Sequence, residues 1–199
     1  MPGIQADCAS DLLVTFTRRS VALQTPSPSD LDIRDIAHAL SLVNRFGGHT
    51  IEPYSVAAHS CHVSRIVNPR WALHGLLHDA AEAYLGDIVR PLKRFVPAYG
   101  RIEMRFDEAI AKRFGLEWTH EAHRAVKQAD NVALRTELEV FFPHLQSDAT
   151  PDPSGTYCSD DEMFSSHADF RVRLSPIAAE AAFLHRFNLL TSRDEAVTL

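Results

Sequence analysis

Along most of the chain, apolar residues recur every three or four positions, the spacing that gives a helix one buried face. Ile33, Ile36, Ala37, Leu40 and Val43 form such a stripe and predict a helix from about Leu31 to Asn44, with Ser29 or Asp30 as its cap. Gly47 and Gly48 stop it. A second helix is expected from about Tyr54 to Val67, ending at Asn68-Pro69. A central one follows from about Arg70 to Leu85, closed by Gly86. The stretch Ile88 to Phe95 reads as a loop or short helix. Two longer helices are expected next, one from Tyr99 to Phe114 with Gly115 as its stop, one starting at Thr119. In the latter, Ala122, Val126, Ala129, Val132 and Ala133 share a side. A last helix runs from Pro176 to about Leu190, where proline suits the first turn. Alternation appears only near the start, where Leu13–Thr17 and Val21–Leu23 flank Arg18-Arg19-Ser20 as a short hairpin. Pro143 to Asp161 is rich in Pro, Gly, Ser and Asp and reads as a long surface loop. The fold class is therefore all-α with a small N-terminal hairpin. At 199 residues one domain, 1–199, is expected, with a core of about 30–142, a loop at 143–161 and a C-terminal helix at 176–190.

Composition narrows this only modestly. A formal charge of -6 argues against a polyanion-binding surface, so no nucleic-acid polymer is expected as partner. The three cysteines, Cys8, Cys61 and Cys158, are odd in number and far apart, which fits neither a disulfide framework nor a thiolate zinc site. No apolar run approaches the roughly 20 residues of a membrane span, and the first residues do not read as a signal peptide. A cytoplasmic protein without membrane association is the expectation.

The chemistry concentrates at His78-Asp79 inside the apolar run His74 to Leu85. Charge in such a run is costly unless something offsets it. A divalent cation does so, because neutral imidazole and ionised carboxylate both ligate it. Glu82 lies one turn on and shares a side with His78 and Asp79. His59 on the preceding helix and Asp130, near Lys127 on a later one, would complete a mixed nitrogen and oxygen site for Zn²⁺, Mn²⁺, Co²⁺ or Fe²⁺. Spacing alone leaves two readings open. His78-Asp79 could equally be an exposed ion pair, His59 a hydrogen-bonded helix histidine, and Asp130 a solvated or capping carboxylate. His38, His49, His62 and His74 have no such grouping. Phe141, Phe142, Trp71 and Trp118 read as core.

Several blocks in order resemble one superfamily. They are Ile33-Arg34-Asp35-Ile36-Ala37-His38-Ala39-Leu40, Asn44-Arg45-Phe46-Gly47-Gly48-His49, Tyr54-Ser55-Val56-Ala57-Ala58-His59-Ser60, His78-Asp79-Ala80-Ala81-Glu82, Gly86-Asp87-Ile88-Val89-Arg90-Pro91-Leu92-Lys93 and Lys127-Gln128-Ala129-Asp130. The chain is similar here to the HD-domain metal-dependent phosphohydrolases, whose pattern is H…HD…D on an all-α fold. The likeness is to their YfbR-like 5′-deoxynucleotidase branch, including phage and prophage members and the dATP triphosphohydrolase relatives. It covers about residues 30 to 140, leaving the first 29 residues and the tail after Pro143 weakly covered.

The resemblance implies an HD-domain helical bundle in which His59, His78, Asp79 and Asp130 hold a divalent metal. It also implies that Glu82 and Asp87 are catalytic acidic residues, that Arg45 contacts phosphate and that Lys93 and Lys127 hold further phosphates. Phe46 stands where nucleotidases often carry Trp against a ribose 2′-OH. The implied activity is hydrolysis of a deoxynucleotide phosphate ester, giving either deoxynucleoside plus phosphate or deoxynucleoside plus triphosphate. The implied assembly is a homo-oligomer, dimer or hexamer. Two other readings stay beside it: a hydrolase of a cyclic or signalling nucleotide, and a non-catalytic HD-fold regulatory or interaction protein.

Overall fold

The computed structural model describes residues 11–142 and 174–195, with side chains through residue 192. The expected loop at 143–161, together with Cys8 and Cys158, lies outside the described residues. The architecture is all-α with one hairpin. Strands β1 (Leu12–Val14) and β2 (Ser20–Ala22) pair antiparallel with Leu13 opposite Val21. Val21 points into the core, whereas Leu12 and Val14 face out. The hairpin tip is tied down at Thr17, whose amide and hydroxyl both donate to the Asp35 carboxylate at 2.7 and 2.8 Å.

Eight helices follow among the described residues: α1 (Ile33–Leu42), α2 (Val56–Ile66), α3 (Ala72–Leu77), α4 (Glu82–Leu85), α5 (Arg90–Lys93), α6 (Pro97–Phe114), α7 (His120–Phe141) and α8 (Pro176–Glu195). None is long and apolar enough to cross a membrane. Side chains cap three of the main helices: Asp32 for α1, Ser55 for α2 and Thr119 for α7. The first differs from the expected Ser29 or Asp30. Pro28–Asp30 forms its own 3₁₀ turn, and Asp32 takes the cap because Arg34 and Arg19 both hold its carboxylate.

The central helix is also not continuous. A 3₁₀ turn at Pro69–Trp71 leads into α3, and a tight turn over 78–81 separates α3 from α4. Through this turn the amides of Ala80, Glu82 and Ala83 bond three residues back, to Leu77, Asp79 and Ala80. The cause is local. His78 Nδ1 donates to the Gly75 carbonyl at 2.9 Å, the acceptor an uninterrupted α-helix would give to the Asp79 amide.

The core gathers Leu31, Ile36, Leu40, Val56, Leu76, Phe106, Ile110 and Phe183, all at most 2% exposed. It lies between α1, α2, α3, α6 and α8. Burial of each large chain contributes about 1.5–3 kcal/mol. A smaller cluster, Val63, Val67, Val126, Ala129 and Ala133, fixes α7 against α2. These two sets of contacts hold α2, α3 and α7 around one point.

Candidate metal centre

His59 sits mid-way along α2 and is fully buried. His78 and Asp79 occupy the turn after α3, and Asp130 lies on the inward face of α7. His59 Nε2 is 3.3 Å from His78 Nε2, 3.5 Å from Asp79 Oδ2 and 3.4 Å from Asp130 Oδ1. His78 Nε2 is 3.2 Å from Asp79 Oδ2. Among the described residues, His59, His78 and Asp79 form a group whose ligand atoms all lie within 4.8 Å of one another. Asp130 stands outside that group and approaches it through His59.

This donor set fits a divalent ion. Ligand atoms about 2.1 Å from a tetrahedral ion lie about 3.4 Å apart, close to the spacings between these groups. The imidazole tautomers agree. His78 Nδ1 gives its proton to the Gly75 carbonyl, and His59 Nδ1 gives its proton to the Glu137 carboxylate at 2.6 Å. Both Nε2 lone pairs therefore face the same point, an arrangement that repels itself unless a cation stands between them. Without a metal, burial and Arg45 push the His59 pKa down, but Glu137 and Asp130 outweigh them and raise it to about 9. Burial works against ionisation of Asp79 and Asp130 too, yet the surrounding histidines hold both well below the usual carboxylate range.

The other expected site residues line one cavity of about 1590 Å³, together with His78, Asp79 and Asp130. Glu82, at the start of α4, is 6% exposed, and its Oε2 has no hydrogen-bond partner among the described residues. Burial first, then the Asp79 and Asp87 carboxylates, push its pKa up to about 9, so it keeps its proton at neutral pH. Asp87 follows Gly86, whose positive φ of 78° turns the chain back toward the cavity. Its pKa is also raised, chiefly by burial. Arg45 and Phe46 come from the turn Arg45–Gly48, where Phe46 is held at φ 56°, unusual for a non-glycine residue. The Phe46 ring packs edge-on against Phe142 at 5.1 Å. Phe142 and Trp118, read from the sequence as core, both line the cavity.

The lysines are engaged already. Lys93 bonds Glu103 at 2.7 Å and lies 3.7 Å from Glu82, while Lys127 bonds Asp130 at 2.8 Å. Arg90 also reaches Asp130, at 3.2 Å.

Glu137 is absent from the residues expected from the sequence. It is fully buried on α7, two turns after Asp130 and on the same side. Its Oε1 accepts from His59 Nδ1 and from the Tyr54 hydroxyl at 3.0 Å. Its Oε2 accepts from Arg45 Nε and Nη2 at 3.1 and 3.0 Å. The one signal for it in the sequence is this two-turn spacing from Asp130.

Fold and site define the class: an all-α protein with a His-His-Asp candidate metal cluster at the wall of a large cavity. No family model matches the chain. It is 34% identical to "Uncharacterized protein YfdR" of Escherichia coli (strain K12), over 89% of this chain and 94% of that protein. It is 39% identical to "Uncharacterized protein RCAP_rcc00048" of Rhodobacter capsulatus, over 68% of this chain and 78% of that one. The chain belongs to the family of these two proteins. A more distant likeness, 31% identity over 46% of the chain, is to "5'-deoxynucleotidase PBPRA2627" of Photobacterium profundum, of which 42% is covered.

Proposed function

We propose that this protein is an HD-type, metal-dependent phosphohydrolase acting on the 5′-phosphate of deoxynucleotides, a single-domain, cytoplasmic enzyme working as a homo-oligomer. One observation carries the reading: His59 Nε2 lies 3.3–3.5 Å from His78, Asp79 and Asp130, which come from two further chain segments and line one cavity with Arg45. The partial likeness to a protein named as a 5′-deoxynucleotidase supports the substrate class.

His59, His78, Asp79 and Asp130 would hold the divalent ion. When bound it supplies Lewis acidity toward a phosphoryl oxygen and toward the attacking water. Arg45 turns Nη1 toward Asp79 at 3.7 Å and can offer it to a phosphate oxygen there. Glu82 holds its proton at neutral pH and gives it to the departing 5′ oxygen. Asp87, which lines the same cavity, orients water or sugar. Phe46 and Phe142 form an aromatic wall for the nucleoside.

The monophosphate version is favoured over the triphosphate version because Lys93 and Lys127 are each bound to a carboxylate, Glu103 and Asp130. Product analysis tests this. The protein is incubated with one dNMP, its dNTP, its ribonucleotide and a cyclic nucleotide. Free phosphate from the dNMP, at a higher rate than from the ribonucleotide, is expected. Triphosphate from the dNTP with an inert dNMP would replace this assignment with the triphosphohydrolase one. Turnover of the cyclic nucleotide alone would replace the substrate class.

A further inference from the structure

We infer that Glu137 is a positioning residue that holds a metal-ligand histidine and the phosphate-contacting arginine as one unit, so that metal and substrate phosphate meet a site set by a single buried carboxylate. The inference rests on the metal and arginine roles proposed above. Its evidence is separate from them: the connectivity of a side chain with no exposure at all.

A buried carboxylate is costly unless its lone pairs are used and its charge is balanced. Glu137 meets both conditions, and the manner is informative. One oxygen serves α2 and the segment leading into it, taking the His59 Nδ1 proton and the Tyr54 hydroxyl. The other serves the turn at Arg45, taking two N–H groups of the guanidinium. By fixing the His59 proton on Nδ1, Glu137 leaves the Nε2 lone pair for the cluster. A carboxylate behind a ligating histidine sets both its ring orientation and its basicity. By holding Nε and Nη2 of Arg45, it leaves Nη1 on the Asp79 side. All its partners here lie on other elements, so a shift of α7 moves both halves of the site together.

An amide cannot replace it. Both sides of Glu137 present donors, and Gln has only one acceptor oxygen. With that oxygen toward Arg45, the Gln NH₂ faces the Nδ1–H of His59 and favours the other tautomer, which puts a proton on Nε2. With the oxygen toward His59, the NH₂ faces the guanidinium.

The experiment is calorimetric titration of metal-stripped wild type and Glu137→Gln with Zn²⁺, alongside far-UV CD and melting of the stripped proteins. A folded variant whose Zn²⁺ affinity falls 10- to 100-fold is the expected result. A folded variant with wild-type affinity overturns the inference and leaves Glu137 a staple between helices. If Glu137→Gln does not fold, histidine ¹⁵N NMR of Zn²⁺-loaded wild type decides instead. A strongly downfield His59 Nδ1 proton, the mark of a short hydrogen bond to a carboxylate, supports the inference, and an Nδ1 proton at an ordinary shift, or none, overturns it. If wild type binds none of Zn²⁺, Mn²⁺ and Co²⁺, the metal reading fails on its own.

Discussion

Replacing Gly75 by alanine puts a methyl group where α3 packs against the Ser64 backbone of α2. Its Cβ would lie 3.0 Å from Val67 Cγ1, 3.2 Å from Ser64 Cα and 3.3 Å from Ser64 N. The valine end can give way, but the Ser64 backbone is held. Arg186 of α8 donates to the Ser64 carbonyl at 2.8 Å and to its hydroxyl at 3.0 Å, and that hydroxyl donates to the Ala72 carbonyl at 2.7 Å. Overpacking of this kind costs about 1–3 kcal/mol, and the upper part of that range applies where the neighbour is pinned backbone. Alanine's better helix propensity returns about 1 kcal/mol. The net loss is about 1–2 kcal/mol, or roughly 2–8 °C in Tm for a chain of this size. Gly100, inside α6, provides the control: nothing lies within 4 Å of its Cβ position, so alanine there keeps the propensity gain. Thermal denaturation of both variants by CD is the assay. Gly75→Ala should melt below wild type and Gly100→Ala at or above it. The loss should also reach the candidate metal cluster, because the Gly75 carbonyl holds the His78 ring. Equal melting of the two variants would refute the argument from close packing.

Three further outcomes follow from the same geometry. Divalent metal at about a hundred times its Kd should stabilise wild type by about 2.7 kcal/mol; Asp79→Ala should lose most of that gain, as read by thermal shift with Mn²⁺ or Co²⁺ against EDTA. Asp32 has a pKa of about 2, held there first by the Arg34 side chain against some desolvation, compared with an ordinary 3.8. Its contribution is therefore nearly complete above about pH 4 and lost as pH falls through about 2, and Asp32→Ala should cost about 1–2 kcal/mol at pH 7 and only a small part of that at pH 2 by urea denaturation. Glu82→Gln should lower kcat by about 10²–10⁴-fold; in wild type the rate should fall on the alkaline side as Glu82, whose pKa is raised by burial, gives up its proton, and the variant should lack that limb.

Much of the fold could be read from the chain because helical periodicity and caps are local. α6 begins and ends, and α7 begins, within a few residues of the expected bounds, and the hairpin lies in the expected stretch with its turn over 15–19 instead of 18–20. What escaped depended on groups distant in sequence or on competition for one acceptor. Asp32 displaced Ser29 and Asp30 as cap because Arg19 also reaches it. The central helix broke because the His78 ring took a carbonyl that periodicity assigns to an amide. His59, His78, Asp79 and Asp130 come together, but only the packing of α7 on α2 does this, and spacing has no information about it. Glu137 was invisible for a related reason: a charged residue in a long helix reads as solvated until its partners on α2 and in the turn at Arg45 are known.

The most direct test of the central claim is phosphate release from a set of dNMPs, measured on protein stripped with EDTA and then supplied with Co²⁺, Mn²⁺ or Zn²⁺. The account predicts no turnover after stripping, recovery with at least one of these ions, and no recovery in Asp79→Ala. Turnover that survives stripping, or no turnover of any nucleotide with any of the ions, would contradict it.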